Sequence, residues 1–113
     1  MGCDACHRPS LTTGPNAIRA LDRVTFLPYS DFLLHDMGPL GDGIVQGAAG
    51  PREMRTAPLW GLQRLTRFLH DGSARTLDEA ILRHGGQGRA ARDRVEALSP
   101  GERDALLAFL ASL

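Results

Sequence analysis

Hydrophobic and polar positions settle into a helical period only in the last third of the chain. Thr76-Leu77-Asp78-Glu79 has the form of a capping box: the threonine hydroxyl accepts from the third amide and the glutamate reaches back. The helix it opens carries Leu77, Ala80 and Ile81 on one face, with His84 joining them at i+7, and Gly85-Gly86 closes it by tolerating positive φ. Ser99-Pro100-Gly101-Glu102 is a second capping box with proline at the first helical position. Leu106, Leu107, Phe109, Leu110 and Leu113 form the apolar stripe of the helix that follows. Between the two lies a mixed-charge, arginine-rich segment from Arg89 to Arg94.

Earlier in the chain the pattern is broken. Arg8-Pro9-Ser10 and Thr12-Thr13-Gly14-Pro15 admit no long helix, and Asn16 is placed to cap a short turn through Asp22. Val24-Thr25-Phe26-Leu27 is β-like, but Pro28 ends it before it is long enough to imply a sheet. Ser30 or Asp31 is expected to cap a short helical turn over Phe32-Leu33-Leu34. Five glycines from Gly38 to Gly50, with a turn at Asp42-Gly43, predict a long loop to Pro51 of the kind that is usually functional or mobile. These elements predict one all-α domain over residues 1–113, with long loops between short helices.

Composition narrows the class. At 113 residues the chain suffices for one core with little margin. Its 42% apolar content and mean hydropathy of -0.18 are those of a soluble globular protein, and no apolar run is long enough for membrane insertion. The formal net charge is zero, which gives no footprint for nucleic acid. All 13 basic residues are arginine, so any buried carboxylate partner meets a guanidinium fork.

The chemistry is concentrated at the start, in Cys3-Asp4-Ala5-Cys6-His7. A Cys-x-x-Cys-His run reads as an attachment site for one covalent haem c: two thiols bond the porphyrin vinyl groups and the next residue offers its imidazole to the iron. Positions three apart lie on one side of a helical turn, so Cys3 and Cys6 can face the macrocycle edge while His7 reaches its centre. A zinc site could use the same thiols, but His35, His70 and His84 are scattered singly. A thioredoxin-like dithiol needs a preceding strand and a crossover unit, and neither is present.

The haem reading makes the second axial position decisive, because a ligated iron suits electron transfer and an open one suits small-molecule chemistry. Four residues are candidates: His84 at the end of an apolar helix face, Met37 in a loop, His35 beside it, and His70 after Phe68-Leu69. Each has an ordinary alternative role, hydrogen bonding for the histidines and core packing for Met37. Attachment of this haem takes place outside the bacterial cytoplasm, so a periplasmic location is expected. No export signal precedes Cys3, which points to the C-terminal piece of a longer exported protein or a lost leader.

Four segments carry a family resemblance: Cys3 to His7, Ser30-Asp31-Phe32-Leu33-Leu34-His35-Asp36-Met37-Gly38, Arg55-Thr56-Ala57-Pro58-Leu59-Trp60-Gly61-Leu62, and Phe68-Leu69-His70-Asp71-Gly72 with Ala80 to Gly86. With these, the chain resembles the C-terminal cytochrome c domain of the di-haem oxidoreductases, a family related to bacterial di-haem cytochrome c peroxidases. The resemblance implies a cytochrome c-like helical fold around a haem pocket. In the related peroxidases a methionine is the distal ligand at the place held here by His84, and in the methylamine dehydrogenase maturation enzyme it is a tyrosine. That ranks His84 first and Met37 second. It also implies that Arg55 pairs a haem propionate, that His70 lies near the haem edge, and that Trp60, standing where the peroxidases carry arginine, packs in the core.

The family's upstream haem domain and the helix that normally precedes the attachment motif have no counterpart in these residues, which leaves the Leu106 to Leu113 stripe without its usual partner. The expected role is therefore one-electron transfer to a redox partner protein or an upstream haem domain. The rivals are part of a di-haem peroxidase-type enzyme and a small zinc or dithiol module.

Overall fold

In the computed structural model, which describes residues 1–113, regular structure is mostly helical. Three α-helices occupy the C-terminal third: α1 Leu77–Leu82, α2 Arg89–Glu96 and α3 Pro100–Leu110. The Thr76 hydroxyl accepts from the Glu79 amide at 3.0 Å, as the capping-box pattern predicts. The Glu79 carboxylate, however, reaches the Arg75 amide, one residue further back. At α3 the box closes reciprocally between Ser99 and Glu102. Helix α2 was legible only as a charged segment. Its one fully buried side chain is Val95, and the rest of its surface is arginine, acid and alanine.

The all-α expectation needs correcting, because two small antiparallel sheets are present. β1 Leu11–Thr12 pairs with β2 Thr25–Phe26, joined across the strands by the Thr12 and Thr25 hydroxyls at 2.8 Å. β3 Leu34–Asp36 pairs with β4 Glu53–Arg55, with His35 opposite Met54. The run ending at Pro28 therefore does pair, finding a partner in a stretch that sequence marked only by its breakers. Nor do Phe32, Leu33 and Leu34 form a helical turn. Phe32 takes φ 59°, a left-handed conformation that stops a right-handed turn at its first residue, and Leu34 then enters β3.

Little of the chain is solidly buried. The only fully buried hydrophobic residues are Ala74 and Val95. The accessible surface of 7462 Å² exceeds the roughly 6,100 Å² of a close-packed monomer of this mass. The radius of gyration of 15.3 Å likewise exceeds the about 13 Å of a compact domain of this length. The apolar side chains line a hollow instead: a cavity of about 760 Å³ is walled by the N-terminal turn, the segment from Met54 to His70, and all three helices. Leu106, Phe109 and Leu110 of the α3 stripe face it, so the missing partner of that stripe is the cavity. Trp60 does not pack in a core. It is 58% exposed, resting on Phe26 and donating its indole N–H to the Leu27 carbonyl. No helix is long and apolar enough to cross a membrane.

Candidate functional site

Cys3 to Ala5 form a single 3₁₀ turn closed by the Cys6 amide on the Cys3 carbonyl at 3.3 Å, and the His7 amide donates to the same carbonyl at 2.8 Å. The turn brings Cys3, Cys6 and His7 to the wall of the large cavity, and both cysteines are free thiols, part-exposed. A second segment fixes it from behind. The Asp31 amide donates to the Cys6 carbonyl at 2.8 Å and the Ser30 amide to the Arg8 carbonyl at 3.0 Å. Ser30, fully buried, donates its hydroxyl to the Thr56 carbonyl and accepts from the Phe32 amide, locking that segment to the strand that leads into Ala57. Tyr29 and Phe32 on either side hold φ 50° and 59°, and strain of this sort is concentrated where a chain has a binding task.

His7 Nδ1 donates to the Tyr29 carbonyl at 3.0 Å, which leaves Nε2 as the available ligand nitrogen. Burial holds His7 below its ordinary pKa against the upward pull of the Tyr29 carbonyl, and the nearby His84 and His35 act in the same sense as burial. A neutral imidazole is the form that ligates metal. Across the cavity wall His84 repeats the arrangement: its Nδ1 donates to the Ala80 carbonyl at 2.8 Å, four residues back on α1, again freeing Nε2. The two ring centroids are 6.5 Å apart.

The other candidates divide. Met37 lines the cavity beside His84, the two meeting around Gly88, where an added Cβ would stand 3.2 Å from both the Met37 methyl and the His84 Cβ. His70 is exposed at the cavity edge. Arg55 reaches the cavity from β4 with its guanidinium over the Phe32 ring at 5.8 Å and makes no salt bridge, so its donors are free for an anionic group. His35, by contrast, has both ring nitrogens committed: Nε2 to the Asp31 carboxylate at 2.8 Å and Nδ1 to Cys6 Sγ at 3.8 Å. It is not placed as an axial ligand.

Ser30 and Asp31 both accept cap-type bonds, from the Phe32 and Leu33 amides, although no helical turn follows, and Asp31 has a second partner in His35 that the sequence pattern does not disclose. Burial alone would raise its carboxyl, but the Leu33 amide, His35 and Thr56 together hold it below the usual carboxylate range. Burial, with the charges of Asp31 and Cys3, pushes the Cys6 thiol up, so it keeps its proton. The ligand atoms of Cys6, Asp31 and His35 lie within 4.8 Å of one another. A carboxylate four residues ahead of a histidine was the only sequence signal for this cluster.

A model of the family described as "Di-haem oxidoreductase, putative peroxidase" matches residues 1–113, the whole chain. The chain belongs to the di-haem oxidoreductase family. No curated protein and no solved structure matches it significantly. The family name implies haem, and the residues fit that group. The cavity volume of about 760 Å³ falls inside the usual range for cofactor sites. A ligand nitrogen sits about 2 Å from its metal and roughly 1.2 Å from its own ring centre, so imidazoles on opposite sides of one metal have centroids roughly 6.4 Å apart. The separation observed, 6.5 Å, agrees. Two free thiols beside one of those imidazoles complete the donor set.

Proposed function

We propose that this chain is a cytochrome c-like electron-transfer domain carrying one haem c, held through Cys3 and Cys6, with His7 as proximal and His84 as distal ligand. The observation that carries the reading is the pair of imidazoles 6.5 Å apart on one apolar cavity, each spending Nδ1 on a backbone carbonyl. Those carbonyls fix the tautomer and orientation of each ring and raise the basicity of Nε2. Bound between them, haem supplies a one-electron iron couple. The protein's part is to keep both axial positions filled and water out, so that neither oxidation state calls for rearrangement. Arg55, without an acidic partner, neutralises a propionate, and Met37 packs against His84 as support rather than as ligand. His70 marks the exposed edge. The domain serves a redox partner protein or an upstream haem domain, without nucleic acid or membrane insertion, in the periplasm of a bacterium.

Low-temperature electron paramagnetic resonance of the haem-loaded chain tests this directly. Wild type and Met37→Ala are expected to give low-spin six-coordinate iron, and His84→Ala high-spin iron. High-spin iron in the wild type instead supports a peroxidase-type site with an open axial position, the reading that the family description favours. A zinc site is favoured by one observation, the Cys6–Asp31–His35 cluster. A colourless chain that binds one zinc through those three side chains supports it.

A further inference from the structure

His35 and Asp31 have no task in the electron-transfer reading, yet with Cys6 they have the form of a thiol, a proton acceptor and an orienting carboxylate. Asp31 Oδ2 accepts from His35 Nε2 at 2.8 Å, which places a proton on Nε2, so that in the neutral ring Nδ1 is the acceptor. That Nδ1 faces Cys6 Sγ at 3.8 Å, so the thiol S–H donates to it. The carboxylate is enclosed, with a side chain 6% exposed, and is itself held by the Leu33 amide at 2.9 Å. Cys3 has no such neighbour; it makes no side-chain hydrogen bond. The two thiols of the motif are thus chemically unequal.

We infer that His35, positioned by Asp31, is the proton acceptor that carries Cys6 through formation of its own thioether bond to haem, making attachment at Cys6 a reaction assisted by this chain's own residues. The inference rests on the haem reading above. The step is an addition and balances without oxidant or reductant. The Cys6 S–H bond breaks, its proton passes to His35 Nδ1, and the sulfur electron pair forms a bond to one vinyl carbon while the vinyl π bond opens and its pair shifts to the other carbon. The proton then returns from Nδ1 to the other vinyl carbon, leaving His35 neutral. Nucleophilic sulfur paired with a base that a third group orients is the general arrangement for such activation. Asp31 acts through His35 and is a positioning residue.

The test is made on the purified full chain, mixed with ferrous protohaem without oxygen. At timed points the mixture is denatured and unreacted thiols are alkylated, then assigned to Cys3 or Cys6 by peptide mass. Both thioethers form by addition, so the alkyl label, rather than the mass of bound haem, distinguishes them. His35→Gln is expected to slow loss of the Cys6 thiol by about 100-fold, the usual scale for a lost proton acceptor, while Cys3 reacts at the wild-type rate. Asp31→Asn keeps the size of the side chain and serves if His35→Gln fails to fold; it is expected to slow the same thiol selectively. A role confined to structure slows both thiols together, and that result overturns the inference, as does a wild-type rate at Cys6 in both variants. A wild type that acquires haem in the periplasm but reacts at neither thiol in this mixture overturns this inference alone. A wild type that acquires no covalent haem in either setting overturns the haem reading and this inference with it.

Discussion

Gly86 gives the most quantitative test of how the distal side is built. It follows His84 by two residues, holds φ 49°, and lies against the loop that carries Asp36, Met37 and Gly38. A Cβ added there would collide with the Asp36 carbonyl oxygen and stand 2.8 Å from the Gly38 amide nitrogen. Both neighbours are backbone, so neither can swing aside. Alanine at this position therefore carries two penalties: about 1 kcal/mol for the left-handed conformation, and about 2 kcal/mol for forcing a packed backbone apart. An unfolding entropy of about 2.1 cal/mol/K per residue makes 1 kcal/mol worth about 4 °C in a chain of this length, so Gly86→Ala should lower the melting midpoint by about 12 °C. Gly43 supplies the comparison. It too has positive φ, 77°, but an added Cβ meets nothing within 4 Å. Gly43→Ala should cost only the conformational part, about 4 °C. Melts of the two haem-loaded variants followed by circular dichroism, with spin state read alongside, check both figures. Because the collision lies next to His84, Gly86→Ala should also raise the high-spin fraction where Gly43→Ala does not. Equal shifts in the two variants, or a Gly86→Ala melt within a degree of wild type, would show that the 84–86 segment is not clamped against the 36–38 loop.

Three further outcomes follow from the same structure. Ser99→Ala removes the reciprocal cap of α3 and should cost about 1 kcal/mol, seen as a lower denaturation midpoint with unchanged visible spectrum, since no haem-facing group is altered. Arg55→Ala, which removes an unpaired guanidinium from the cavity edge, should leave the fold intact and shift the reduction potential measured by titration; an unchanged potential removes Arg55 from the site. The Asp36 carboxyl is held below its ordinary value by Arg52 and the Gly38 amide. A depressed folded pKa contributes stability that is fully present above the ordinary carboxylate value and is lost as pH falls through the folded value. Melting midpoints should therefore fall on acidification below about pH 4, and Arg52→Ala should flatten that decline.

Which of these features sequence could disclose depends on how local their cause is. The Cys3–Ala5 turn and the caps of α1 and α3 are set by neighbours within a few residues, and all are present in the structure. Helix α1, however, stops at Leu82 with Arg83 as its right-handed C-cap, so Gly85-Gly86 does not close it and His84 lies just beyond its end. Helix α2 escaped because it presents one buried residue, Val95, too little for a hydrophobic period. The two sheets escaped because strands of two and three residues are made by partners 13 to 21 positions away, such as Leu34 against Arg55, and not by their own sequence. Tertiary context also decided the histidines. His35 and His84 are both candidates along the chain, with His84 set first only by resemblance; the fold gives the nitrogens of His35 to Asp31 and Cys6 and leaves one nitrogen of His84 free. The hollow core has a similar origin: the α3 stripe was readable, while the cavity it faces exists only in three dimensions.

Whether one haem is bonded covalently to this chain is read from the pyridine haemochrome spectrum of chain matured in a bacterial periplasm with the haem-attachment machinery. The expected result is one haem c per polypeptide that survives acid-acetone extraction, with both Cys3 and Cys6 refractory to alkylation. A colourless chain, or a haem that extracts into acid acetone and leaves both thiols open to alkylation, would contradict it.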